Sequence, residues 1–270
     1  MLLLHGTGSA SRSWQGLLPG LMSRYTVLAP DLPGHGESAD PGTAGLSLPG
    51  MARHLRALIQ HFGLQPEFVV GHSAGAALAC RMALDGDLPG ARIISINGAL
   101  LPPLGMPLHL LTPLARLLAA MPLVPELFAF RARDPSALRR LMRSTGSSLD
   151  QEGMAFYQRL VSDPAHVSAA LRMMAWWDLG GLARELPALQ QPLDLLVSDG
   201  DRTIAPSEAQ RVAGIVAHAR VSTIPHLGHL AHEEDPAGCL RILLQILAEP
   251  PGSSTATSPE RRVQRDEGKR

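Results

Sequence analysis

The sequence predicts an α/β fold, a mostly parallel sheet with helices on both faces. Three observations carry that expectation. Short apolar runs recur along the chain and alternate with longer stretches of helical character. Several of these runs are continuously apolar, as strands covered on both faces require. The rhythm breaks once, between about Leu101 and Leu189, where prolines cluster and helix-like stretches follow.

The apolar runs read as strands in this order: Met1–Leu4, Tyr25–Ala29, Glu67–Val70, Arg92–Ile96, Leu193–Val197 and Arg220–Ile224. Helices are expected over Leu48–Phe62, with Gly63 as a C-terminal stop, and over Ala74–Leu84 behind a Gly-Ser-Gly turn. Two more are expected over Ser207–Ala217 and Pro236–Ala248. Residues 1–100 and 190–248 then form the core. Residues 101–189 form an inserted helical cap, punctuated by Pro102, Pro103, Pro107, Pro113, Pro122 and Pro125. Six methionines fall in the cap: Met106, Met121, Met142, Met154, Met173 and Met174. Such adaptable, polarizable side chains suit a pocket for a large apolar ligand, or simply the cap's own core. Residues 249–270 turn abruptly to Pro, Gly, Ser, Thr and mixed charge, so the tail is expected to be disordered.

At 270 residues and 45% apolar, the chain can bury a substantial core. Its formal net charge is zero, which argues against a nucleic-acid binder held by a basic surface. Cys80 and Cys239 stand far apart, so no disulfide framework is implied and both read as buried apolar residues. Met1–Leu4 is too short for a signal peptide or a membrane span, and a cytoplasmic protein is the expectation.

The chemistry concentrates at Gly71-His72-Ser73-Ala74-Gly75, a G-x-S-x-G nucleophile elbow between an apolar strand and an Ala-rich helix. A serine hydroxyl needs a base. Asp201, in Ser198-Asp199-Gly200-Asp201-Arg202, and His229, in His226-Leu227-Gly228-His229, follow Ser73 in the chain order of such a triad. Asp199 is a rival acid, and His226 and His232 flank the chosen histidine. The oxyanion hole is expected from the N–H of Ala74 and that of Thr7 in His5-Gly6-Thr7-Gly8, with Gly6 as the alternative donor. The loop Asp31–Ser38, with His35, reads as structural. No metal motif occurs, Ser11 breaks a nucleotide-type glycine pattern, and no cofactor is expected.

Together, His5–Gly8, Asp31–Ser38, Gly71–Gly75, Asp201-Arg202 and Gly228-His229 resemble the α/β-hydrolase superfamily. A narrower likeness rests on Leu2–Gly8, Gly71–Ala77, Ser144–Asp150 and, above all, the cap segment His166–Leu179. These stretches resemble the magnesium-chelatase accessory proteins of bacteriochlorophyll biosynthesis, the BchO type. The resemblance implies a role near magnesium insertion into protoporphyrin, with a tetrapyrrole and magnesium-chelatase subunits as partners; it defines no reaction. Members of the fold usually carry two antiparallel strands ahead of the oxyanion-loop strand. Here the chain begins at that strand, so either the start lies upstream or these strands are missing.

Three functions follow as expectations. The first is a serine hydrolase acting on an ester or similar acyl bond of an apolar substrate, with Met173, Trp176 and Trp177 lining the pocket. The second is a non-catalytic tetrapyrrole-binding or chelatase-associated accessory protein. The third is a general carboxylesterase or acyl transferase.

Overall fold

The structure is a computed structural model that describes residues 1–103, 116–119, 121 and 123–250. Five strands form one sheet in sequential order: β1 (Leu2–Leu4), β2 (Phe68–His72), β3 (Arg92–Ile96), β4 (Leu193–Ser198) and β5 (Ala219–Ile224). Every pairing is parallel. The α/β-hydrolase architecture expected from the sequence is therefore present, including a helical insert between β3 and β4.

The period of two along each strand divides the apolar side chains between two layers. Leu2, Leu4, Val69, Ile93 and Leu195 face one way, toward Met51, Leu55 and Leu78 of helices α3 (Leu48–His61) and α4 (Ala74–Leu84). Leu3, Val70, Ile94, Leu196 and Ile224 face the other, toward Trp14, Leu17 and Leu243. On this second side lie α1 (Leu18–Met22) and the last helix, Pro236–Ala248. A short α2 (Gly42–Leu46) precedes α3. One charged residue sits inside β4. Asp194 is buried and bonds Arg92 Nε at 2.6 Å and Arg220 Nε at 3.1 Å, so one carboxylate joins β3, β4 and β5.

Tyr25–Ala29, expected as a strand, makes only one bridge, Leu2 to Leu28. In that register Tyr25 and Thr26 lie beyond Met1, and Pro30 has no N–H to continue the ladder on the other side. No antiparallel pair occurs among the described residues.

The insert contains α5 (Leu123–Ala132), α6 (Pro135–Ser144), α7 (Gln151–Val161), α8 (Pro164–Trp176) and α9 (Leu179–Glu185). Aspartates start four of these helices, each accepting a backbone N–H in the first turn. Asp134 takes Ser136, Asp150 takes Gly153, Asp163 takes Ala165 and Asp178 takes Gly181. Pro135 and Pro164 occupy the first helical position, where the missing N–H costs nothing. Pro107, Pro113, Pro122 and Met106 lie outside the described residues.

After β4 come α10 (Ser207–Ala213), α11 (Ala231–Glu234) and α12 (Pro236–Ala248). The α10 helix stops at Gly214, short of the expected Ala217. Of the tail, residues 251–270 lie outside the described residues. No helix among the described residues is long and apolar enough to cross a membrane.

Candidate active site

Ser73 ends β2 and begins α4 with φ 51° and ψ −117°, a strained conformation for a residue with a side chain. The surroundings hold it there. Its N–H donates to the Ile96 carbonyl at 3.1 Å, and its own carbonyl accepts from Ala76 and Ala99 N–H, each at 3.1 Å. Gly75 lets the first turn of α4 press on β1, since a Cβ there would stand 2.1 Å from the Leu4 carbonyl oxygen. Ala74 opens α4, so its N–H is one of the first four helical donors, which have no acceptor within the helix.

The loop His5–Gly8, expected to supply an oxyanion donor, lies directly against this turn. A Cβ on Gly6 would come within 3.1 Å of the Ser73 Cβ. Ser9 N–H closes the turn onto the Gly6 carbonyl at 3.2 Å, with Thr7 between them. Thr7 Oγ1 lies 3.5 Å from the Met173 Sδ, which brings α8 over the loop. Below the loop, His5 is buried and its Nε2 accepts the Leu32 N–H at 2.9 Å. Burial pushes His5 down to about 4 and His35 to about 3, so both rings are neutral struts at ordinary pH. That agrees with the structural reading of the Asp31–Ser38 loop.

His229 and Asp201 meet as expected. His229 Nδ1 donates to Asp201 Oδ2 at 2.8 Å, with both residues buried. The other Asp201 oxygen accepts N–H bonds from Thr203 at 2.7 Å and Ile204 at 3.0 Å. With Nδ1 carrying the proton, Nε2 is left with a lone pair. Asp199, the rival acid, instead accepts the His226 N–H at 2.6 Å, on an exposed turn where His226 has φ 65°. His232 is fully buried, packed between Trp14 at 4.6 Å and His72 at 4.5 Å with the rings tilted, and burial holds it at about 3.

His72 joins the two halves of the site. Its Nε2 lies 2.9 Å from the His229 carbonyl oxygen and its ring centroid 4.7 Å from the His229 ring. The residue before Ser73 thus holds the backbone of His229. Burial lowers the His72 pKa well below the usual imidazole range, which keeps it a neutral donor to that carbonyl.

Two contributors were not legible as such in the sequence. Asn97, at the end of β3 with φ 47°, donates through Nδ2 to the His229 carbonyl at 2.9 Å and the Gly228 carbonyl at 3.2 Å. Its Oδ1 accepts the Ser198 N–H at 2.8 Å. The dipeptide Asn97-Gly98 after an apolar run signals a turn, not these partners. The second contributor is the turn after α6. The Thr145 carbonyl accepts the N–H of both Arg202, at 3.2 Å, and His229, at 3.3 Å. Ser147 Oγ accepts the Leu230 N–H at 2.9 Å. The acid loop and the histidine loop are therefore pinned to one carbonyl of the helical insert.

The proposed pocket residues separate. Met173 is fully buried beside Thr7, while its neighbour Met174 is exposed, because successive helical residues point about 100° apart. Trp176 lies under the Arg116 guanidinium at 5.5 Å, and Trp177 packs against the main core. Met142 is buried and Met154 packs beside it with Phe156 and Tyr157, while Met121 is exposed, so the described methionines do not converge on one wall. Cys80 and Cys239 are free and buried, and burial raises both thiols to about 12.

Sheet, elbow and loop order together define a class of protein. Residues 1–242 match the alpha/beta hydrolase family, and the chain belongs to it. Within that family, the chain is 38% identical over 247 residues to the magnesium-chelatase 30 kDa subunit of Rhodobacter capsulatus, covering 92% of this chain and 86% of that protein. It is also 29% identical to the pimeloyl-[acyl-carrier protein] methyl ester esterase of Methylococcus capsulatus, over 92% and 94% of the two chains. Among solved structures, a thermophilic esterase from Thermogutta terrifontis superposes with a TM-score of 0.70 at 26% identity, covering 91% and 88%. The epoxide hydrolase CorEH superposes at 0.75 and 22% identity, over 92% and 90%, and shares the fold.

Proposed function

We propose that the protein is a serine hydrolase that cleaves an ester or similar acyl bond of an apolar substrate. The observation that carries this reading is the 2.8 Å bond from His229 Nδ1 to Asp201, in a loop whose backbone is held by the residue preceding Ser73. His229 Nε2 takes the proton of Ser73 Oγ as that oxygen attacks the acyl carbon. Charge on the former carbonyl oxygen is met by the N–H groups of Ala74 and Thr7. His229 then gives the proton to the leaving alcohol, and an acyl-Ser73 ester remains. Water, deprotonated by His229, releases the acid and restores Ser73. Asp201 holds the imidazole tautomer and stabilises the imidazolium. Met173 forms an apolar wall beside Thr7. Residues 101–189 act as the cap over this site.

The likeness to the magnesium-chelatase 30 kDa subunit supports a biological place beside magnesium insertion into a tetrapyrrole, in bacteriochlorophyll synthesis. On this reading the tetrapyrrole pathway supplies the substrate, and chelatase subunits are the partners. The experiment has two arms. A fluorophosphonate probe labels wild type and fails to label Ser73→Ala; labelling of both at one rate removes Ser73 as nucleophile. In a Rhodobacter capsulatus strain lacking the 30 kDa subunit, wild type restores pigment and Ser73→Ala does not. Equal restoration by Ser73→Ala would make the role that of a non-catalytic accessory protein.

A further inference from the structure

Helix α5 has the sequence Leu-Val-Pro-Glu-Leu-Phe-Ala-Phe-Arg-Ala and is apolar around nearly its whole circumference. Among the described residues, only one side is covered. Pro125 and Ala129 are buried, while Leu123 is 76% exposed, Leu127 57%, Phe128 56% and Phe130 66%. Leu123, Leu127 and Phe130 recur at i, i+4 and i+7, which is a single stripe. A contiguous face of large apolar side chains left in water marks a docking surface.

The charges beside this stripe indicate what docks. Helices α5 and α6 and their connection hold five exposed arginines, Arg131, Arg133, Arg139, Arg140 and Arg143, against Glu126 and Asp134, in a chain whose net charge is zero. Among the described residues Arg131, Arg133, Arg139 and Arg143 form no ion pair. Arg131, Arg133 and Arg140 converge with Phe130, Ala137 and Asp134 on a cleft of about 330 Å³. The apolar stripe therefore ends at a mainly cationic cleft. An apolar face bordered by cations is the arrangement of a helix lying in a lipid interface. Guanidinium groups also match phosphate geometry through paired N–H bonds.

We propose that the outer face of α5 and α6 docks the protein on an anionic lipid bilayer. Leu123, Leu127, Phe128 and Phe130 enter the boundary with the acyl chains, and Arg131, Arg133 and Arg140 take headgroup phosphates. Helix α8 packs against α5 and carries Met173 to the Thr7 loop, so the docked face stands one helix from the candidate site. An apolar substrate dissolved in lipid then has a short route to it.

The test is flotation of the full chain with vesicles of three parts phosphatidylcholine to one part phosphatidylglycerol, and with phosphatidylcholine alone. Wild type floats with the anionic vesicles and is released by raised salt. The triple variant Arg131→Gln, Arg133→Gln, Arg140→Gln lowers the partition coefficient by roughly 100-fold, from the contribution of three surface cations. The pair Leu127→Ser and Phe130→Ser removes binding. Unchanged thermal midpoints in both variants show that the fold is intact. Ser73→Ala floats as wild type does, so this test is separate from that of the hydrolase reading. Equal flotation on neutral vesicles, or none on either, overturns the proposal. In the second case, concentration-dependent dimerisation lost in Leu127→Ser, Phe130→Ser would assign the face to a second copy of the chain.

Discussion

The turn after α6 offers the sharpest test of how the helical insert positions the candidate site. Gly146 has φ +83°, and a Cβ there would stand 2.2 Å from the Gly200 carbonyl oxygen, more than an ångström inside ordinary contact. On the other side, a Cβ on Gly228 would meet the Gly146 carbonyl carbon at 2.3 Å. Three backbones, those of the insert, the acid loop and the histidine loop, touch at this point. Gly146→Ala therefore carries two costs. Left-handed backbone in a residue with a side chain costs about 1–2 kcal/mol. Forcing the Gly200 carbonyl away costs about 1–3 kcal/mol more, as overpacking does elsewhere. Gly63→Ala is the control, because Gly63 has φ +61° but open space at the Cβ position. It carries the first cost and not the second.

The melting temperature of Gly146→Ala should then lie about 2–12 °C below that of Gly63→Ala, at about 2–4 °C per kcal/mol for a chain of this size. Because Asp201 follows Gly200 and His229 follows Gly228, a displaced junction misplaces both residues. A 1 Å error in such a site costs on the order of 10²-fold in rate. Fluorophosphonate labelling of Ser73 should slow by about that factor in Gly146→Ala and remain near wild type in Gly63→Ala. If the two variants melt together and label alike, the insert does not position the acid and histidine loops, and the reasoning fails.

Two further outcomes follow from the site. Asp201→Asn should reduce labelling and ester turnover far more than Asp199→Asn, since Asp199 holds only the His226 backbone; the reverse order would transfer the acid role to Asp199. Acid sensitivity should come from the buried histidines. His35 and His232 are held at about 3 and His5 at about 4, so below the ordinary imidazole value of about 6.5 the unfolded chain takes up protons that the native state refuses. Stability therefore falls as pH drops from that value toward 4. Glu233, raised to about 8 by burial, acts oppositely, stabilising toward acid between its unfolded value of about 4.3 and 8, but the depressed histidines, with His72 and His166 among them, outnumber it. Denaturant midpoints should show a net decline on acidification, shallower in His232→Phe, whose ring keeps the packing against Trp14 without a titrating nitrogen. An unchanged slope in that variant would remove His232 from the account.

Much of the protein was legible in one dimension because its signals are local. Strand burial on both faces requires continuous apolar runs, so β2, β3 and β4 stand out in the sequence, and Ala74–Leu84 and Pro236–Ala248 begin and end where the sequence reading put them. The elbow is local too, since Gly71–Gly75 carries its own steric reason. Chain order then suggested Asp201 and His229 as a pair, and their side chains do meet. What sequence could not decide were meetings between distant segments. Whether Tyr25–Ala29 became a strand depended on its register against β1, where only Leu28 forms a bridge. Whether Asp199 or Asp201 met the histidine depended on the turn between them, for the two share a tripeptide and differ only in which way the backbone aims the carboxylate. The methionines of the insert read as one group, but the helical rotation between Met173 and Met174 sends one to Thr7 and the other to solvent. Asn97 and the Thr145 carbonyl gained their roles only when β3 and the insert were folded over the histidine loop. Local conformation follows from side-chain sterics and apolar periodicity, both written in the sequence. Which groups satisfy one another across more than a hundred residues is fixed only by packing.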